Sequence, residues 1–243
     1  MAEVYNAEQL MQLNHAAVPP ETVQLGLAAQ FMSQLLGLYQ VPCVMMGSWA
    51  TYLRGNIRRD YDVEIAVSTS MDNLRHILVH NPRIYFPDAW GETFVKIYVK
   101  VGCSFDVGFD NVPDLGVGVN LILSGNLTIP SNLFTASEYI FPSNFTPQEG
   151  PVVVLGIFWQ IATKLSAFNS RRSDNDYDDL LFLFRKYTLE VVSFQDDING
   201  PDRDAFLESY ISKGNDANDI LYLTVLLGGG PLRMGDADPA DRL

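Results

Sequence analysis

The sequence predicts an α+β protein, with a mixed β-sheet flanked by helices over residues 1–150 and a mostly helical region over 151–243. Three observations carry this reading. Short apolar runs alternate with amphipathic helical stretches in the first part. A turn-rich segment, Thr128 to Gly150, interrupts the pattern. Beyond it, apolar residues recur at helical spacing.

Met1 to Pro20 reads as a short leader with a helical turn over Ala7 to Leu13, punctuated by Pro19-Pro20. Glu21 to Tyr39 places Val23, Leu27, Phe31 and Leu35 on one side and predicts an amphipathic helix. Val41 to Met46 predicts a buried strand. Ser48 to Leu53 predicts a short helix stopped at Gly55. After the polar loop Asn56 to Arg59, Tyr61 to Val67 predicts a second strand. Ser70 to Val79 predicts a helix ended by Asn81-Pro82. Phe94 to Val101 alternates strictly and predicts a half-exposed strand, Ser104 to Phe109 a further strand carrying Asp106, and Val119 to Leu123 one more. In the second part, Val152 to Phe168, Asp176 to Tyr187, Arg203 to Ser212 and Ala217 to Leu227 predict helices, ahead of a frayed glycine- and proline-rich tail.

The chain has 243 residues, 47% of them hydrophobic, enough for a substantial buried core. With 16 basic against 29 acidic residues the net charge is −13, which argues against nucleic acid as a partner, since phosphate contacts need basic side chains. A small polyanion such as a nucleoside triphosphate escorted by Mg²⁺ remains compatible. No signal peptide and no apolar run of ~18 residues is evident, so a soluble, cytoplasmic protein with no membrane partner is expected. Cys43 and Cys103 sit in apolar runs and read as reduced core thiols. Trp49 and Trp90 read as packing residues, and His15, His76 and His80 as surface residues.

The chemistry-bearing pattern is Gly47-Ser48, a spacer, and Asp62-Val63-Glu64-Ile65. On a strand, Asp62 and Glu64 project to one face while Val63 and Ile65 enter the core. Adjacent carboxylates repel unless a cation lies between them. Mg²⁺ takes oxygen ligands of this kind together with phosphates. Asp60 shares the parity of Asp62, which leaves Asp60 and Asp62 as an alternative pair.

Gly47-Ser48, Asp62-Val63-Glu64-Ile65 and a later strand acid, Asp106 in Phe105-Asp106-Val107, together resemble the polymerase-β-type nucleotidyltransferase superfamily, including its minimal members. Lys164-Leu165-Ser166-Ala167, Arg171-Arg172 and Asp176 to Leu180 resemble the helical segment that follows the catalytic sheet in small proteins of that kind. The resemblance implies Asp62, Glu64 and Asp106 as ligands of two Mg²⁺ (or Mn²⁺) ions, ~3.5–4 Å apart in such sites. It also implies Gly47 and Ser48 as a phosphate cradle. Lys164 and one of Arg58 or Arg59 would face the triphosphate. Glu64 departs from the commoner Asp.

The activity so implied is transfer of a nucleoside monophosphate from an NTP to a hydroxyl of a small molecule or protein. The alternatives are a protein of the same fold without transferase activity, either a nucleotide-binding or interaction module, or a scaffold reused for acid–base chemistry on a small metabolite. From the residues alone, Lys164 is either an ordinary helix lysine or a buried ionic group. Asp176, Asp178 and Asp179 read as a solvated helix start.

Overall fold

The structure is a computed structural model that describes residues 1–6, 8–9, 19–58, 61–144 and 150–229. The helical turn expected over Ala7 to Leu13 falls largely outside these residues, as do His15, Arg59, Asp60 and nearly all of the tail. Two compact units divide the chain, Met1–Thr163 and Lys164–Leu243.

The first unit runs β1 (Glu3–Tyr5), α1 (Thr22–Leu38), β2 (Cys43–Met46), α2 (Gly47–Leu53), β3 (Asp62–Val67), α3 (Met71–Val79), β4 (Ile84–Pro87), β5 (Phe94–Val101), β6 (Leu115–Leu123), α4 (Leu133–Ala136), β7 (Ser137–Ile140), β8 (Val152–Leu155) and the start of α5 (Ile157–Arg171). Its eight strands form one mixed sheet in the order β1-β4-β5-β6-β3-β2-β8-β7. β3 runs parallel to β6, while β5 and β2 are antiparallel to their neighbours β6 and β3.

Alternation explains the core. Val95, Ile97, Val99 and Val101 of β5, Val63, Ile65 and Val67 of β3, and Val117, Val119 and Leu121 of β6 point to one face. There they pack with Leu25, Ala28, Met32 and Leu36 of α1 and Leu74, Ile77 and Leu78 of α3. Residues of opposite parity, Val44, Met46, Ala66 and Ile122, form a smaller apolar cluster on the other face with Ile129, Leu133 and Leu155. Helix starts follow local chemistry. Ser70 Oγ accepts from Asn73 N at 3.2 Å to cap α3, and Glu21 with Gln24 forms a capping box on α1.

Three expectations need correction. Val152 to Phe168 is not one helix. The β-branched run Val152-Val153-Val154 pairs as β8 with β2 and β7, and the helix begins only after Gly156. Ser104 to Phe109 is not a strand but part of a folded loop. There the Asp106 and Asp114 carboxylates accept from the backbone N–H groups of Gly102 and Ser104, each at 2.9 Å, competing with sheet pairing. Cys103 is accordingly exposed, whereas Cys43 lies half-buried on β2. The edge and near-edge strands β1, β4 and β7 were not expected. They have only three or four residues each, too few to show a period.

The second unit comprises the end of α5, α6 (Asp174–Lys186), α7 (Thr188–Phe194), α8 (Gly200–Ser212) and α9 (Ala217–Leu226). Phe168, Tyr177, Phe184, Phe206 and Tyr210 make its aromatic centre, with ring centroids 5.3–6.3 Å apart. Beside it, the Lys164 ammonium lies 3.0 Å from Asp176 Oδ1 and 2.7 Å from Asp179 Oδ2, all three buried. The aspartates therefore do not form a solvated helix start; Asp178 alone of the three is exposed. Arg171 completes the cluster with two hydrogen bonds to Asp176, at 2.5 and 2.9 Å.

Burial pushes the Asp176 carboxyl up, but the Arg171 hydrogen bonds and the Lys164 charge outweigh it and hold the group below its ordinary value. A depressed folded value contributes stability that is complete above the unfolded value of about 3.9 and is lost as pH falls through the folded one. Urea midpoints should therefore decline as the pH falls below about 5 and on through the depressed folded value. The decline should be shallower in Arg171→Gln, a change at a side chain that is 59% exposed.

Candidate functional site

β3 carries Asp62 and Glu64 on the sheet face opposite α1, with Met46 of the smaller apolar cluster directly beside Glu64. In register, Asp62 lies beside Gly118 of β6, and Gly118 beside Tyr98 of β5. Glu64 lies beside Asn120, and Asn120 beside Lys96. Asp62, Glu64, Gly118, Asn120, Tyr98 and Lys96 thus share one face, since residues directly opposite one another do. The Asp62 carboxylate accepts from Asn120 Nδ2 at 2.8 Å and pairs with Lys96 Nζ at 3.3 Å, both on Oδ2. Lys96 starts two strands away and reaches Asp62 across β6 at Gly118. A Cβ there would lie 3.1 Å from Lys96 Cε and 3.5 Å from Nζ. The missing side chain is the passage for the lysine. Burial, and after it the Asp62 charge, pushes the Tyr98 phenol above its ordinary value.

The Gly47-Ser48 turn leads from β2 into α2. Gly47 has φ +63°, and a Cβ on it would sit 1.5 Å from Glu64 Oε2, so only glycine lets that carboxylate come this close. Ser48 N–H donates to Glu64 Oε2 at 3.2 Å. The amide that the sequence pattern reserves for a phosphate therefore holds a carboxylate of the chain itself. Arg58 Nη2 donates to Ser48 Oγ at 2.9 Å. Gln160, fully buried on α5, donates to Gly47 O at 2.8 Å and to Thr51 Oγ1 at 3.1 Å, which pins the turn from below. At the other end of α2, Arg54 reaches Leu155 O at 2.7 Å and pairs with Glu138. Trp49 is buried and stacks on Tyr52, a packing role.

The structure brings together Asp62, Glu64, Gly47, Ser48 and Arg58. It does not bring Asp106 to them. The Asp106 carboxylate is held by Gly102 N–H just past the end of β5 and by Arg83 Nη2 at 2.8 Å. Gly102 lies four residues beyond Tyr98, the β5 residue in register with Asp62, and two strands across. That is about 13 Å along the strands and about 10 Å between them. Asp106 is thus a loop-capping residue and not a third member of the carboxylate group. Lys164 lies in the second unit and spends its charge on Asp176 and Asp179. Among the described residues, no three His, Cys, Asp or Glu side chains gather closely enough to hold a metal ion. The donor set at Asp62 contains an ammonium and an amide N–H, both of which repel a cation. Among the described residues, this donor set does not fit a two-metal centre.

Lys96, Asn120, Gly118 and Gln160 were not singled out in the sequence. One signal was present: Asn120 interrupts the apolar run Val117 to Leu123 at the parity that faces away from the core. Among the described residues no helix is long and apolar enough to cross a membrane.

The chain is similar in fold to an antigenic nucleotidyltransferase-like protein from Paracoccidioides brasiliensis, with a TM-score of 0.59 and 15% identity over 87% of this chain and 100% of that one. A candidate nucleotidyltransferase from Thermotoga maritima aligns over 67% of this chain and 91% of that one, at 13% identity and a TM-score of 0.35. No family model and no curated protein matches the chain. The fold is nucleotidyltransferase-like, a mixed sheet with flanking helices followed by a helical region.

Proposed function

We propose that this chain is a nucleotide-binding module on a nucleotidyltransferase-like fold that does not carry out metal-dependent transfer. The observation that supports this is the state of Asp62, whose Oδ2 is shared by Lys96 Nζ and Asn120 Nδ2. In-line displacement needs carboxylates that gather two divalent ions around the attacking and leaving oxygens. Here the second carboxylate is bonded to Ser48 N–H, and the acid expected as the third caps a distant loop. The same face carries the Arg58 guanidinium, which donates to the Ser48 hydroxyl and is suited to phosphate oxygens.

The test is nucleotide titration followed by melting temperature, with and without Mg²⁺, alongside an assay for pyrophosphate. NTPs should raise the melting temperature equally in Mg²⁺ and in EDTA, and pyrophosphate release should not exceed that of Asp62→Asn. Mg²⁺-dependent pyrophosphate release that vanishes in Asp62→Asn would overturn the reading. It would return the chain to transfer of a nucleoside monophosphate onto a small-molecule or protein hydroxyl. No melting shift with any NTP would remove nucleotide binding altogether.

A further inference from the structure

We infer that Lys96 is a resident cation that takes the place of a divalent metal ion at the Asp62–Glu64 pair. The inference deepens the reading of the site given above, and its test is independent of whether a nucleotide binds. Four features converge on it. Two carboxylates at i and i+2 of one strand need positive charge between or beside them. The Lys96 ammonium supplies it to Asp62 at 3.3 Å. Its route is built into the sheet, because Gly118 is the residue of β6 over which the lysine stem passes, with a Cβ contact of 3.1 Å to Cε if any side chain were present.

The third feature is Asn120. A carboxylate at this position, beside Glu64 and 2.8 Å from Asp62, would complete a trio of acids on one face. The chain has the uncharged amide instead and turns its donor toward Asp62. Among the described residues the amide oxygen is buried without a hydrogen-bond partner. The fourth is the charge count. Among the described residues of this face, the charges of Asp62 and Glu64 are matched by those of Lys96 and Arg58. Lys96 and Asp62 keep side-chain exposures of 34% and 24%, so solvent and small ions reach them.

A divalent ion would therefore have to displace an ammonium already seated on Asp62. Removing that ammonium and placing an acid at position 120 should create a site. Mn²⁺ binding followed by electron paramagnetic resonance tests this on the full chain, with wild type, Lys96→Met, Lys96→Met/Asn120→Asp, and the last combined with Asp62→Asn. Wild type should bind no Mn²⁺ that depends on Asp62. The double variant should gain about one bound Mn²⁺ per chain, and the added Asp62→Asn should abolish it. Far-ultraviolet circular dichroism and melting curves establish that each variant folds. Both Lys96 and Asn120 are partly exposed, so the substitutions are not core truncations.

The inference is overturned if wild type binds Mn²⁺ in a way that Asp62→Asn removes. It is equally overturned if neither Lys96→Met nor the folded double variant gains any. Absence of nucleotide binding with the Mn²⁺ result intact would count against the proposed function alone.

Discussion

Lys164→Met is expected to destabilise the second unit by about 3–5 kcal/mol, the usual consequence of removing one partner from a buried ion pair. The Lys164 side chain is 4% exposed and faces two aspartates that are 1% and 0% exposed. Methionine keeps the length and apolar character of the stem and deletes only the charge. Two buried carboxylates would then lose the ammonium they share, while Arg171 keeps its two hydrogen bonds to Asp176. Urea denaturation read by helical circular dichroism would measure the loss. Adding Asp176→Asn and Asp179→Asn to Lys164→Met should recover part of the stability, because an uncharged cluster no longer strands a charge. If Lys164→Met left the urea midpoint unchanged, the buried cluster would not be what organises the unit.

Gly102→Ala should cost the first unit about 3 kcal/mol. Gly102 has φ +123°, a backbone conformation in which an L side chain is strained. A Cβ there would stand 2.6 Å from Pro113 O and 2.7 Å from Asp114 Cα. Both are backbone atoms on the far limb of the same loop, so no rotamer change relieves the clash. The loop would have to open, and the Gly102 N–H that holds Asp106 would move with it. Gly37→Ala is the control, since the added methyl on α1 meets nothing within 4 Å and should be neutral or slightly stabilising. A loss confined to Gly102→Ala, seen as a lower urea midpoint, is the expected outcome. Equal midpoints for the two variants would contradict it.

Where periodicity was long enough, the fold was legible. β5 alternates for eight residues and α1 repeats its apolar positions for seventeen, and both occur where expected. The short helix after Gly47-Ser48 and the projection of Asp62 and Glu64 to one face were also legible, because a brief apolar helical run closed by Gly55 and two like residues at i and i+2 are local features. Asp106 was misplaced because Phe105-Asp106-Val107 imitates a strand. Its true environment is set by backbone N–H groups that its own carboxylate captures, and pattern reading does not weigh that competition. β8 was absorbed into the following helix because Val152 to Leu155 is apolar at every position and shows no period. Lys96 and Gly118 were invisible for a different reason. Their significance lies in a cross-strand register, and nothing in the linear order places position 96 over position 118 on the way to position 62.

The position of β8 also governs when the sheet can close. β2 is flanked by β3, which follows it closely in sequence, and by β8, which does not. During synthesis, β2 and β3 leave the ribosome early, and one side of β2 then waits with its hydrogen-bonding groups unclaimed until Val152 to Leu155 emerges. Arg54 waits with it, because its partners Leu155 O and Glu138 arrive in the same late segment. The far margin of the sheet is thus the last of its strands to be supplied, and until then an unpaired edge of β2 is open to pairing with a stranger.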